Sequence, residues 1–318
     1  MAESKKKVVI ITGANSGIGF KAAEKLCQDE YQVILACRDT ERGTAAVRQI
    51  ADNNPEADAF FMQLDLGDIS SIKAFAEEFI EMKKPLHILA LNAGLTMNFK
   101  GHERSFTKDG FEVTMGTNHL GHFLLTNLLL DVLKKTAAED GEARVVVTTS
   151  SLHDPDSKGM SKEPPRPTDL DDLLMSEEDA YSGFHAYRTS KAANVMFTYE
   201  LARRLEGTGV TVNTFCPGFI PETGLGQNQP AFVRFFVTYV LGWILWWKGV
   251  TTSMKDGGLK LVDVATNPEY KGVTGKFFTK GAIAKSSKES YDEEKQKKLW
   301  EVSAGLLKME GYPSVEIK

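Results

Sequence analysis

The sequence predicts a doubly wound α/β fold built on a largely parallel sheet, and three observations carry that prediction. Strand-like runs alternate with amphipathic stretches of about 10 to 20 residues, the rhythm of repeated βαβ units. The first run, Lys7–Thr12 (KVVIIT), is a continuous β-branched segment of the kind buried on both faces of a parallel sheet. A glycine-rich turn follows it directly and opens a helix.

In chain order, the first helix runs from that turn to about Asp29, and Tyr31–Ala36 is the second strand. A second helix covers Glu41–Asn53 and a third strand Ala59–Leu64. A helix over Ser70–Met82 follows, with Ser70 or Ser71 as its N-cap. Leu86–Leu91 is the fourth strand, Thr117–Lys135 a long helix and Ala143–Thr149 the fifth strand. Tyr187–Glu206 is helical, Val210–Phe215 the sixth strand and Lys276–Thr279 a seventh. Residues 154–171, rich in Pro, Asp and Lys, form an insertion loop too short to be a domain. One domain is expected over 1–318, with 219–250 as an apolar excursion on the substrate side.

Bulk properties fit a globular chain large enough to bury its own core: 318 residues, 42% hydrophobic, 25% charged. The net charge of −5, with interspersed signs, gives no basic field of the kind that binds nucleic acid. Three scattered cysteines, Cys27, Cys37 and Cys216, argue against both a disulfide framework and a zinc site. The first residues carry no apolar h-region, so no secretory signal is expected and the location is read as intracellular, cytoplasmic or peripherally membrane-associated. Residues 231–247 (AFVRFFVTYVLGWILWW) are nearly apolar all round yet short for a bilayer span. Two readings stand: a buried lid over an apolar substrate, or a helix lying in a membrane interface with its aromatics at headgroup depth.

The chemistry begins in the turn Gly13-Ala14-Asn15-Ser16-Gly17-Ile18-Gly19. Gly13 permits a tight turn, Gly17 lets backbone approach a pyrophosphate, and Gly19 allows close helix packing, while the helix N-terminus offers amides to phosphates. Past the second strand the first charged group is Arg38, whose guanidinium suits a 2′-phosphate and so favours NADP(H); the alternative is Asp39 holding a ribose hydroxyl. Asp65-Leu66 can present a carboxylate to an adenine amine, and Asn92-Ala93-Gly94 puts small residues where backbone passes a cofactor.

Tyr187 and Lys191 stand one helical turn apart, so an ammonium beside a phenol is expected to lower the phenol's pKa towards neutrality. Ser150-Ser151 follows the fifth strand and can hold a carbonyl oxygen; Asn118 opens the long helix. His119 and His122 lack a third ligand and are read as structural or surface residues, with no metal expected.

The order TGANSGIG, LNAG, TNHLGHF, VVVTTSS, YRTSK and Cys216-Pro217-Gly218 resembles the short-chain dehydrogenase/reductase family, whose domain is a Rossmann-type sheet, over nearly the whole chain. The resemblance implies a tetrad: Asn118 organising a water relay, Ser151 (as the second serine of the pair) polarising a carbonyl, Tyr187 as acid/base, and Lys191 on the nicotinamide ribose. It also implies cofactor contacts at Pro217, Gly218 and Thr223, the last displaced because Glu222 stands at the usual place, and pairing into a homo-oligomer.

Within the family the chain looks like the branch of retinol dehydrogenases and protochlorophyllide oxidoreductase. Phe219, where the latter has Cys, and Asn92-Ala93-Gly94, where it has Asn-Ala-Ala, weigh against its C=C reduction. The resulting expectation is hydride transfer between NADP(H) and a carbonyl or alcohol of a bulky apolar, retinoid- or steroid-like molecule. The alternatives are C=C reduction and an inactive NADP(H)-binding sensor or scaffold.

Overall fold

The computed structural model describes residues 6–97, 103–157, 166–176, 181–221 and 251–312. Eight strands form a single sheet in the order β3-β2-β1-β4-β5-β6-β7-β8. They are β1 (Val8–Thr12), β2 (Gln32–Cys37), β3 (Asp58–Gln63), β4 (Ile88–Leu91), β5 (Ala143–Thr148), β6 (Val210–Cys216), β7 (Lys276–Thr279) and β8 (Ala282–Ala284). The first seven pair in parallel and β8 returns antiparallel beside β7. Strand order reverses where β1 pairs with both β2 and β4, which opens a crevice at the carboxyl ends of those strands.

Side chains alternate across each strand, so the run of buried apolar residues in β1 serves two cores. Val8 and Ile10 face a cluster with Phe75 of α3 (Ile69–Glu81), Phe123 of α4 (Gly121–Asp140), Phe197 of α5 (Gly183–Arg204) and Trp300 of α7 (Glu293–Leu306). Val9 and Ile11 face the other core, with Leu26 of α1 (Gly17–Gln28), Ile50 of α2 (Thr40–Asn53) and Leu261 of α6 (Met254–Thr266).

Several expectations need correction. The cap of α3 is Asp68, whose carboxylate accepts from the amides of Ser70 and Ser71, so neither serine is the N-cap. A π-helical turn over Gly116–Leu120 precedes α4, and Asn118 sits inside it rather than at the start of the long helix. α5 begins at Gly183, capped by Ser182, four residues before Tyr187. Helices α6 and α7 and the short strand β8 were not anticipated. The apolar tract 231–247, together with Glu222 and Thr223, lies outside the described residues. Among the described residues no helix is long and apolar enough to cross a membrane.

Candidate active site

The glycine-rich turn connects β1 to α1 along the crevice. Gly13 has φ +67° and its amide donates to Ala36 O at 2.8 Å, which ties the turn to the end of β2. Gly17 has φ +59° with nothing within 4 Å of where a Cβ would stand, so its outer face is open space. A Cβ on Gly19 would lie 2.6 Å from Asn92 Nδ2 and 2.7 Å from Gly13 O, so only hydrogen fits there. Ser16, the N-cap of α1, is exposed, with no side-chain bond to the helix. Asn15 and Ile18 are half-buried beside it. The turn therefore presents a helix N-terminus, an uncommitted hydroxyl and clear space together, which fits a dinucleotide phosphate.

Around that turn, Thr12 Oγ1 accepts from the amides of Asn92 and Ala93, both at 2.9 Å, and Asn92 Nδ2 donates to Thr12 O at 3.0 Å. Gly94, which is exposed, brings backbone close to Lys191 Nζ and Asn118 Oδ1. Arg38 is exposed beyond β2, whereas the Asp39 carboxylate is committed to capping α2 through the Arg42 amide at 2.9 Å. One carboxylate oxygen of Asp65 accepts from the Gly67 amide at 2.9 Å. The Leu66 side chain belongs to the core, leaving only its backbone for a ligand. Pro217 O accepts from Lys260 Nζ at 2.9 Å, and Gly218 has φ +99° with Thr252 pressed against it.

The structure brings Asn118, Tyr187 and Lys191 together at the carboxyl ends of β4 and β5. Asn118 holds the backbone of Leu95 from both sides, accepting from its amide at 2.8 Å and donating to its carbonyl at 2.9 Å. The same side-chain amide donates to Ser190 Oγ at 3.0 Å, and Ser190 donates to Tyr187 O at 2.8 Å. Thus the π-turn and α5 are stitched to each other beside the phenol; such turns recur at functional sites. Lys191 Nζ donates to Thr148 O at 3.2 Å and stands 5.6 Å from the centre of the Tyr187 ring.

Of the serine pair, the structure sets Ser150 beside the phenol, not the expected Ser151. The Ser150 hydroxyl is near enough to the Tyr187 phenol to lower its pKa, against the larger upward push of burial. Ser151 is exposed, and its amide donates to Cys216 Sγ at 3.2 Å. Ser150 is the N-cap of the 3₁₀ turn Ser151–His153, its hydroxyl accepting from the Leu152 amide at 3.2 Å.

Electrostatics differ from the expectation as well. Burial raises the Tyr187 phenol above its ordinary value, with the Ser150 hydroxyl pulling the other way. Burial also pushes the Lys191 ammonium down to about 8. At neutral pH the phenol therefore keeps its proton, the form required of an acid. Desolvation dominates because the phenol and the ammonium are both buried.

The two histidines are buried and structural. His119 Nε2 meets Ser303 Oγ at 2.9 Å. His122 Nδ1 donates to Asn118 O at 3.0 Å, and its Nε2 accepts from Thr12 Oγ1 at 2.9 Å. His122, Ser190, Cys216 and His153 were not foreseen as parts of the site, although His122 at i+4 from Asn118 and Ser190 at i+3 from Tyr187 are readable spacings.

The family model for short chain dehydrogenase matches residues 7–161 and 175–233. Human retinol dehydrogenase 14 is 36% identical, covering 95% of this chain and 87% of its own length. Human retinol dehydrogenase 12 is 38% identical over 95% of this chain and 86% of its own. An actinorhodin polyketide ketoreductase solved with NADPH shares the fold, with a TM-score of 0.64 and 20% identity over 87% of this chain and 97% of its own. A match across most of the chain by the family model, and identities above a third with nearly full-length relatives, place the protein in the short-chain dehydrogenase family as an oxidoreductase.

Proposed function

We propose that the protein transfers hydride reversibly between NADP(H) and a carbonyl or alcohol on a bulky apolar molecule, with Tyr187 exchanging the proton. The observation that carries this reading is the gathering of a buried Tyr187, a buried Lys191 and the Asn118-bearing π-turn at one crevice, with the Ser150 hydroxyl near enough to the phenol to lower its pKa. A bound nicotinamide would supply the hydride. The chain's own part in reduction is to hold the carbonyl oxygen by the Ser150 hydroxyl and to give that oxygen a proton from Tyr187. Lys191 supplies positive charge beside the phenol, so the phenolate left behind is stabilised, and it would hold the nicotinamide ribose. Asn118 fixes the Leu95 backbone at the rim and is the residue proposed to organise a water relay.

Gly13, Asn15, Ser16, Gly17, Ile18 and Gly19 are the proposed phosphate cradle. Asp65, Leu66, Asn92, Ala93 and Gly94 flank the nucleoside, and Pro217, Gly218 and Thr223 the nicotinamide end. Arg38 supports NADP(H) over NAD(H), since the competing Asp39 carboxylate is spent on capping α2. An apolar substrate is supported by relatives named retinol dehydrogenases and by the composition of 231–247, through which peripheral membrane contact is also proposed.

A panel of retinoid, steroid and simple carbonyls and alcohols, assayed with both nicotinamide cofactors, tests the reading. Turnover is expected with at least one apolar substrate, faster with NADPH or NADP⁺. Tyr187→Phe should lower kcat by about a hundredfold or more while NADPH affinity holds. Undiminished kcat in that variant would remove Tyr187 from the mechanism.

A further inference from the structure

His153 lies at the end of the 3₁₀ turn that Ser150 caps, buried against Phe277 of β7 with ring centres 5.0 Å apart. Both ring nitrogens are engaged. The Ser287 amide can only donate, and it points at His153 Nε2 at 3.0 Å, so that nitrogen carries no proton. The proton is therefore on Nδ1, which donates to Ser150 O at 2.7 Å. The same carbonyl accepts from the His153 backbone amide at 3.0 Å, so one residue holds Ser150 twice.

A single 3₁₀ turn has poor hydrogen-bond geometry and little stability of its own, and this one follows the last residues of β5 with no helix to extend it. Its persistence depends on what anchors it, and the anchor lies on the other side of the sequence. Ser287 belongs to a turn fixed from several directions. Ser286 Oγ meets Tyr199 OH of α5 at 2.6 Å, and Gln296 of α7 donates to Ser290 O at 2.6 Å. Glu289 accepts from the Thr168 amide at 2.9 Å, at the end of the insertion loop. This rigid platform is what the imidazole leans on when it grips Ser150.

We propose that His153 is a positioning residue that sets the Ser150 hydroxyl against Tyr187 by clamping the Ser150 turn to the Ser287 platform. The imidazole touches neither substrate nor cofactor and acts through Ser150 alone. The inference rests on the carbonyl-holding role assigned to Ser150 in the proposed function.

Two substitutions each keep one half of the clamp and most of the ring's bulk. His153→Asn retains a donor for Ser150 O, and His153→Gln retains an acceptor for the Ser287 amide. Each is made in the native chain and in Ser150→Ala, with kcat on the best substrate of the panel and NADPH dissociation by calorimetry as readouts. If the clamp acts through Ser150, each lowers kcat by about a hundredfold in the native background, the scale of a small misplacement of a reacting group. Each then lowers it by no more than about twofold where Ser150 is already alanine, since coupled residues are non-additive. NADPH affinity stays within about twofold throughout, as binding at the glycine-rich turn does not involve this loop.

A fall of equal size in both backgrounds, or no fall at all, overturns the inference while leaving the functional reading in place. Full turnover by Ser150→Ala, or none by the native chain, overturns the functional reading and the inference with it.

Discussion

Alanine at Gly17 and alanine at Gly19 should fail for opposite reasons, and the contrast tests where the cofactor lies. At Gly17 the added methyl meets no protein atom within 4 Å, so packing is unaffected. The cost is conformational: φ is +59°, a region that disfavours an L side chain by about 1–2 kcal/mol. The lower entropy of the unfolded chain offsets part of this, about 0.4–1 kcal/mol, leaving about 1 kcal/mol net. With an unfolding entropy of about 2.1 cal/mol/K per residue, a chain of 318 residues loses about 1.5 °C per kcal/mol. Gly17→Ala should therefore melt within about 3 °C of the native protein.

Its open face is the surface proposed for the phosphates, so NADPH binding should weaken by at least about tenfold, or about 1.4 kcal/mol. Gly19→Ala drives a methyl to 2.7 Å from Gly13 O, a backbone atom that cannot swing aside. Overpacking of this kind costs about 1–3 kcal/mol, or about 2–5 °C, and it distorts the cradle as well. Calorimetric titration of NADPH beside thermal melts reads both effects. Native affinity in a folded Gly17→Ala protein would refute the placement of the dinucleotide over this turn.

Two further outcomes are expected. Arg38→Ala should raise the NADPH dissociation constant by about tenfold or more and leave the NADH constant nearly unchanged, because the charge-assisted pair proposed to the 2′-phosphate would be removed; equal weakening for both cofactors would argue against Arg38 as the 2′-phosphate partner. Acid should unfold the protein early: burial depresses His119 to about 4 and His122 to about 3 from an ordinary 6.5, so both rings are neutral in the fold while the unfolded chain binds their protons. Stability from these groups is complete above pH 6.5 and falls as pH drops towards 4 and then 3, by about 3 and about 5 kcal/mol at the limit. Melting temperature followed from pH 7.5 to 4 checks this, and a flat profile would contradict it.

Most of the sheet was legible in the sequence because burial on both faces writes a continuous apolar run, as in Val8–Thr12 and Ala143–Thr148. Helix starts were less legible where something other than a standard cap sets them. The long helix was placed from Thr117, but Gly116–Leu120 is a π-turn. The Gly257-Gly258 pair, low in helix propensity, lies inside α6, where a side chain at Gly258 would meet the backbone of α1 at 2.9 Å. The strand β8 is three mostly exposed residues whose pairing comes from the turn at Lys280-Gly281, both with positive φ, rather than from hydrophobicity. α7 was readable: Asp292 followed by Glu293 and Glu294 is a capped, dipole-matched start.

The site divides along the same line. Spacing along one helix placed Tyr187 and Lys191 together, since one element carries both. Setting Ser150 rather than Ser151 beside the phenol depends on which way a three-residue turn faces, and the proposed clamp on that turn runs from His153 to an amide 134 residues further along the chain. No local pattern encodes such a contact. A resemblance that assigns roles by position within a Ser-Ser pair is therefore least reliable where the pair sits on a short turn, and most reliable where a long helix fixes the register.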